Sequence, residues 1–114
     1  MNSDLKMYIL VKRSVPLGIG IVSAVHAPLV AYLKYKDDLI FKDWLENSFK
    51  KVVCWVTDNE FESCKEMDLT EVITESKYEN KETAIVCCPR KEWPRKFKYF
   101  PLVGSEIWDR NKNK

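Results

Sequence analysis

Between Arg13 and Lys34 the chain carries no Lys, Arg, Asp or Glu, and the segment Val15–Leu33, VPLGIGIVSAVHAPLVAYL, is almost wholly apolar or small. Just before it stands a continuous apolar run of strand length, Met7–Val11, MYILV. A strand that is apolar at every position is one covered on both faces, not one. Together the two segments call for a layered α/β arrangement, in which helices cover a sheet. Pro16, Gly18 and Gly20 punctuate the junction RSVPLGIG and read as a turn, so a largely buried helix is expected from about Ile21 to Tyr35. Pro28 falls inside it and cannot donate to the carbonyl of Ala24. The helix should therefore start late or bend there, with a free carbonyl next to His26.

The remaining elements follow from periodicity. Leu39–Phe49, LIFKDWLENSF, sets Ile40, Phe41, Trp44, Leu45 and Phe49 on one helical stripe. KKVVCWVTD is a second strand. TDNE, Thr57–Glu60, has the form of a capping box opening a helix that buries Phe61 and Cys64 and ends near Asp68. EVITES and TAIVCCP are two short β-branched strands separated by a polar loop, Ser76–Glu82. The order β-α-(α)-β-α-β-β predicts a single-domain, three-layer α/β sandwich with a four-stranded mixed sheet over residues 1–103 and a polar tail over 104–114.

Composition narrows the function classes. With 114 residues, 46% hydrophobic and 32% charged, the chain reads as globular and cytoplasmic. Its apolar runs read as too short to span a bilayer, so no membrane partner is expected. MNSDLKMYILV, with an early acid and no small-residue cleavage site, does not read as a signal peptide. Cys54, Cys64, Cys87 and Cys88 form no CxxC pair, and a lone histidine completes no zinc set. They read as small buried thiols, with no metal and no cofactor expected. Charge is uneven. Arg90–Lys114 holds eight Lys/Arg against three Asp/Glu, a net of +5, whereas residues 1–89 hold eleven against fourteen, a net of −3.

Three segments carry candidate chemistry. GIGIVS, Gly18–Ser23, approaches a dinucleotide fingerprint between a strand and a helix, but no ribose-binding acid follows at the right place on a second strand, and G-K-[ST] is absent. His26 is the best single candidate, because a buried helix rarely holds a half-polar ring without a use for it. Ser23, three residues earlier, can share its face. The third is RKEWPRKFKYFP, Arg90–Pro101. Its cations Arg90, Lys91, Arg95, Lys96 and Lys98 interleave with Trp93, Phe97, Tyr99 and Phe100, a pattern suited to phosphates and stacked bases. The plainer reading is a Trp-Pro turn and an edge strand, with the rings in the core and the lysines in water.

KMYILVK, then LGIG, then VHAPLVAYL resembles the opening of the type II peptidyl-tRNA hydrolases. KKVVCWVTDNEFESCKEM resembles that family's second strand and following acidic helix, and TAIVCCP its last strand. The resemblance runs over roughly Lys6–Pro89. It implies that family's α/β fold and hydrolysis of the ester of peptidyl- or aminoacyl-tRNA in the cytoplasm. His26 matches the family's His-Ala step and would move or orient the proton of a water. Glu75 would orient it, Ser23 stands where the family has Gln, and the basic C-terminal residues would hold tRNA. Ile19 or Ile21 stands where the family has a lysine, and SKYENKE replaces a family loop. That departure keeps an alternative open: a non-catalytic relative that binds RNA or a protein partner, or forms a homodimer, through the basic-aromatic segment.

Overall fold

The structure, a computed structural model, describes residues 4–103, so the tail expected over 104–114 lies outside the described residues. The chain runs β1 (Lys6–Lys12), α1 (Leu17–Tyr35), α2 (Leu39–Asn47), β2 (Lys50–Val56), α3 (Asp58–Lys65), β3 (Thr70–Glu75) and β4 (Lys81–Cys87). Short 3-10 turns cover Ser76–Tyr78 and Arg95–Tyr99. The sheet order is β2-β1-β4-β3, with β1 parallel to β2 and antiparallel to β4, and β3 antiparallel to β4. This is the mixed four-stranded sheet expected from the element order.

Alternation along β1 splits the core into two layers. Met7, Ile9 and Val11 face α1 and α2, where Ala27, Ala31, Phe41 and Trp44 are buried against Ile73, Ala84 and Val86. Tyr8 and Leu10 face the other way, onto Cys54, Phe61, Cys64, Ile85, Phe97 and Phe100. The continuous apolarity of MYILV is thus accounted for, since both its faces are covered.

The first helix departs from expectation in three ways. It begins at Leu17, so Gly18 and Gly20 lie inside its first turns and not in a loop. It passes through Pro28 without ending. Third, it is not largely buried: only Gly20, Ser23, Ala27 and Ala31 are sealed against the sheet. Small residues on the inner face let the helix backbone approach closely. A Cβ on Gly20 would sit 2.9 Å from Val11 Cγ1, a stiff β-branched side chain. The bulky apolar residues face outward. The bilayer expectation is also corrected. By length and composition α1 suffices to cross a membrane, with a mean hydropathy of 1.5 over its best window, yet here one face of it packs on the sheet.

Elsewhere the local chemistry holds. Asp38 caps α2 by accepting from Phe41 N at 2.9 Å. α2 stops at Asn47, short of Phe49, whose φ of 65° takes the backbone left-handed. Of the expected stripe, Phe41 and Trp44 are buried, Ile40 is half-buried, and Leu45 and Phe49 are exposed. At α3 the capping box forms in full: Thr57 N donates to Glu60 Oε1 at 2.8 Å, and Glu60 N donates to Thr57 Oγ1 at 3.1 Å. Thr57→Ala is expected to lower stability by about 1 kcal/mol in urea unfolding. No measurable shift of the midpoint would show that the box contributes nothing. In the loop between β3 and β4, Glu79 and Asn80 both take positive φ, 59° and 56°, which turns the strands back on each other.

Candidate active site

His26 and Glu75 come from two elements that share one layer boundary. α1 lies along the edge strand β3 and is tied to it at two places. His26 Nε2 stands 3.5 Å from Glu75 Oε2, and Lys34 Nζ stands 2.9 Å from Glu71 Oε2. The spacing is geometric: eight helical residues and four strand residues each rise about 12–13 Å. Tyr35 reinforces the second tie by donating its hydroxyl to Glu71 Oε2 at 3.0 Å. Burial first, then that carboxylate, push its phenol up to about 12.

The two members of the His26–Glu75 pair differ in setting. The His26 side chain is 50% exposed, whereas that of Glu75 is 9% exposed. Glu75 Oε2 is buried and has no hydrogen-bond partner, and His26 Nε2 is the cationic-capable group set against it. A buried carboxylate oxygen left unpaired is costly, so its retention against a solvent-facing imidazole needs a reason. Between the two ties lies a groove of about 340 Å³, lined by His26, Leu29, Val30 and Leu33 of α1 and by Val72, Ile73 and Thr74 of β3. It offers one polar ring at the margin of an apolar trough.

Ser23 does not join them. It is fully buried, and its hydroxyl lies 2.8 Å from the Ile19 carbonyl and 2.7 Å from Thr83 Oγ1. Thr83 Oγ1 in turn lies 3.3 Å from the Ile73 carbonyl. Two hydroxyl protons thus serve this chain of oxygens, which locks α1 to β4 and leaves no nucleophile facing a ligand. Gly18–Ser23 forms no phosphate cradle either, because Gly20 N is spent on Pro16 O at 3.0 Å.

The basic-aromatic segment sits on the opposite layer from His26. Its rings form a packed cluster with Tyr8: Trp93 at 4.7 Å, Phe97 at 5.0 Å, and Phe100 at 5.1 Å from Phe97. Phe97 and Phe100 belong to the core, Trp93 is half-buried against them, and Tyr99 is 73% exposed. Arg90 is held by Asp68, with Nη1 3.2 Å from Oδ1 and Nη2 donating to the carbonyl, and Lys96 donates to Ser63 Oγ at 3.0 Å. Lys91, Arg95 and Lys98 lie exposed. The chain then runs along β2, with Trp55 N donating to Pro101 O at 2.8 Å and Val103 N to Val53 O at 2.9 Å, which covers that sheet edge.

The four thiols are buried, as their composition suggested. Desolvation pushes Cys54 up to about 11 and Cys88 up to about 12, and raises Cys64 and Cys87 as well. At neutral pH burial keeps them as thiols, which are poor nucleophiles. Lysines near the pair number two in sequence. Lys81 is bound to Glu79 at 3.1 Å, and Lys77, two residues beyond Glu75, is exposed. Sequence reading missed the groove itself, since it depends on which strand α1 lies against. No family model matches the chain, and no curated protein matches it.

Proposed function

We propose that the chain is a diverged relative of the type II peptidyl-tRNA hydrolases that cleaves a peptidyl- or aminoacyl-tRNA ester at the His26–Glu75 pair. The observation that carries this is the buried, unpartnered Glu75 Oε2 facing the exposed His26 ring at 3.5 Å. Glu75 draws the Nε2 proton toward itself, which leaves the Nδ1 lone pair for a water. Nδ1 takes a proton as the water oxygen bonds to the ester carbonyl carbon. The bond to the ribose oxygen then breaks, and that oxygen receives the proton. The apolar groove accommodates a side chain of the acyl part. Lys77 is the cation nearest in sequence to meet a flanking phosphate, in place of the lysine whose position Ile19 or Ile21 holds. With Phe97 and Phe100 buried and Trp93 packed against them, the rival reading, RNA binding by ring stacking on that segment, is left with Tyr99 as its exposed ring.

The test is release of tRNA from an N-blocked aminoacyl-tRNA. His26→Ala is expected to lower kcat by about 10²–10⁴-fold, with circular dichroism unchanged because the ring is half outside. Wild type and His26→Ala equally inert would remove the catalytic reading.

A further inference from the structure

Independently of that reaction, the outward face of α1 has a pattern of its own. Gly18, Val22, Val25, Leu29 and Tyr32 follow one another at spacings of four, three, four and three, the a/d seam of a paired helix. The seam faces solvent. Leu17, Ile21, Val22, Val25, Leu29, Tyr32 and Leu33 are between 40% and 71% exposed. Together they present on the order of 600 Å² of apolar side chain, at the upper limit for a lone soluble chain. No charged residue interrupts it between Arg13 and Lys34.

We infer that this face is a homodimer interface, in which α1 packs antiparallel on α1 of a second copy about a two-fold axis at Val25. The order of sizes along the seam carries the argument. Val25 is its midpoint and the most exposed of its residues, at 71%. Gly18 lies two turns before it and Tyr32 two turns after it, so the two-fold sets each Gly18 against the partner's Tyr32. A Cβ at Gly18 would meet nothing within 4 Å, which leaves space for that ring. Val22 falls beside the partner's Leu29 to within one residue. A surface that repeats its own complement under a two-fold is what an isologous interface requires. Burying the seam together with the flanking Leu17, Ile21 and Leu33 in full, about 600 Å² from each copy, reaches the lower bound of a specific interface. Antiparallel helices also set opposite dipole ends together. A bilayer surface would be indifferent to the pairing of small with large.

The test uses the full chain of 13.4 kDa in sedimentation and light scattering. Wild type is expected at twice that mass at micromolar concentration. Val25→Glu sets two carboxylates on the axis, and Gly18→Leu fills the space for the partner's ring. Each is expected to raise the dimer dissociation constant at least 100-fold with unchanged circular dichroism. Val25→Cys is expected to form a disulfide-linked dimer on mild oxidation, and Leu39→Cys, 80% exposed on α2 but off the seam, is not. A wild type that stays monomeric at 100-fold higher concentration overturns the proposal, as does a dimer unmoved by Val25→Glu and Gly18→Leu. Flotation of a monomeric wild type with anionic lipid vesicles, lost in Val25→Glu, overturns it in favour of a membrane surface.

Discussion

Trp44→Ala is expected to lower stability by about 3–5 kcal/mol, a large part of what a domain of this size has in total. The ring is 1% exposed and lies in the layer between α2 and the sheet. Phe41 packs at 5.2 Å and Phe49 at 5.5 Å between centroids, and the Lys51 ammonium stands 5.3 Å from the ring centre. Alanine leaves a void that α2, tethered by its cap at Asp38 and by the turn at Phe49, has little freedom to fill. The indole also donates Nε1–H to the Lys50 carbonyl at 2.8 Å. Trp44→Phe separates the two contributions. It keeps most of the volume and gives up the hydrogen bond, at about 1 kcal/mol, because Lys50 is exposed and water replaces the donor. Urea unfolding followed by circular dichroism reads both. A loss below 1 kcal/mol for Trp44→Ala would mean that the ring is not a core element.

The layers of this fold were legible because the strongest signals are local. MYILV is apolar at each position, and the layers packed on either side of the sheet cover both its faces. The Thr57–Glu60 box depends on four consecutive residues, and it forms as written. The basic-aromatic segment followed its plainer reading in part: Phe97 and Phe100 turn inward with Trp93 packed against them, but Tyr99 is exposed and Arg95–Tyr99 forms a 3-10 turn, not an edge strand. What failed was orientation. An almost wholly apolar helix gives no hydrophobic direction, so periodicity had nothing to say about which face of α1 meets the sheet. Size decided it: Gly20, Ser23, Ala27 and Ala31 form a flat stripe that fits against β1 and β4, and the larger residues are left outside. The same consideration moved the helix start. Gly18 and Gly20 read as turn residues on propensity, whereas Gly20 is required by the closeness of Val11. At the site, His26 was legible as an odd polar ring, and Glu75 only through resemblance to a family. Their proximity depends on α1 lying along β3, a tertiary fact. Ser23 shares the neighbourhood in sequence but faces inward, toward Thr83.

Glu75→Leu is expected to move stability and activity in opposite directions. Oε2 of this carboxylate is buried without a hydrogen-bond partner, a cost of about 1–3 kcal/mol to the folded state. Leucine has a similar volume and no polar atom, so the substitution is expected to raise stability by about that amount. The same change removes the group that faces and orients His26 at 3.5 Å. If ester hydrolysis proceeds as proposed, kcat falls by about 10²-fold while KM stays nearly constant, because Glu75 acts through His26 and not on the substrate. Glu75→Gln is the intermediate variant. Its amide has the size of the carboxylate and keeps a polar group facing the His26 ring, but it brings no charge. It is expected to keep more activity than Glu75→Leu. Urea unfolding and turnover of an N-blocked aminoacyl-tRNA are measured on the same preparations. Loss of stability together with activity in Glu75→Leu would make the carboxylate a structural group and sink the catalytic pair. A gain in stability with full activity would leave the unpaired oxygen unexplained by catalysis. Only a more stable and slower enzyme matches a carboxylate kept for what it does to His26.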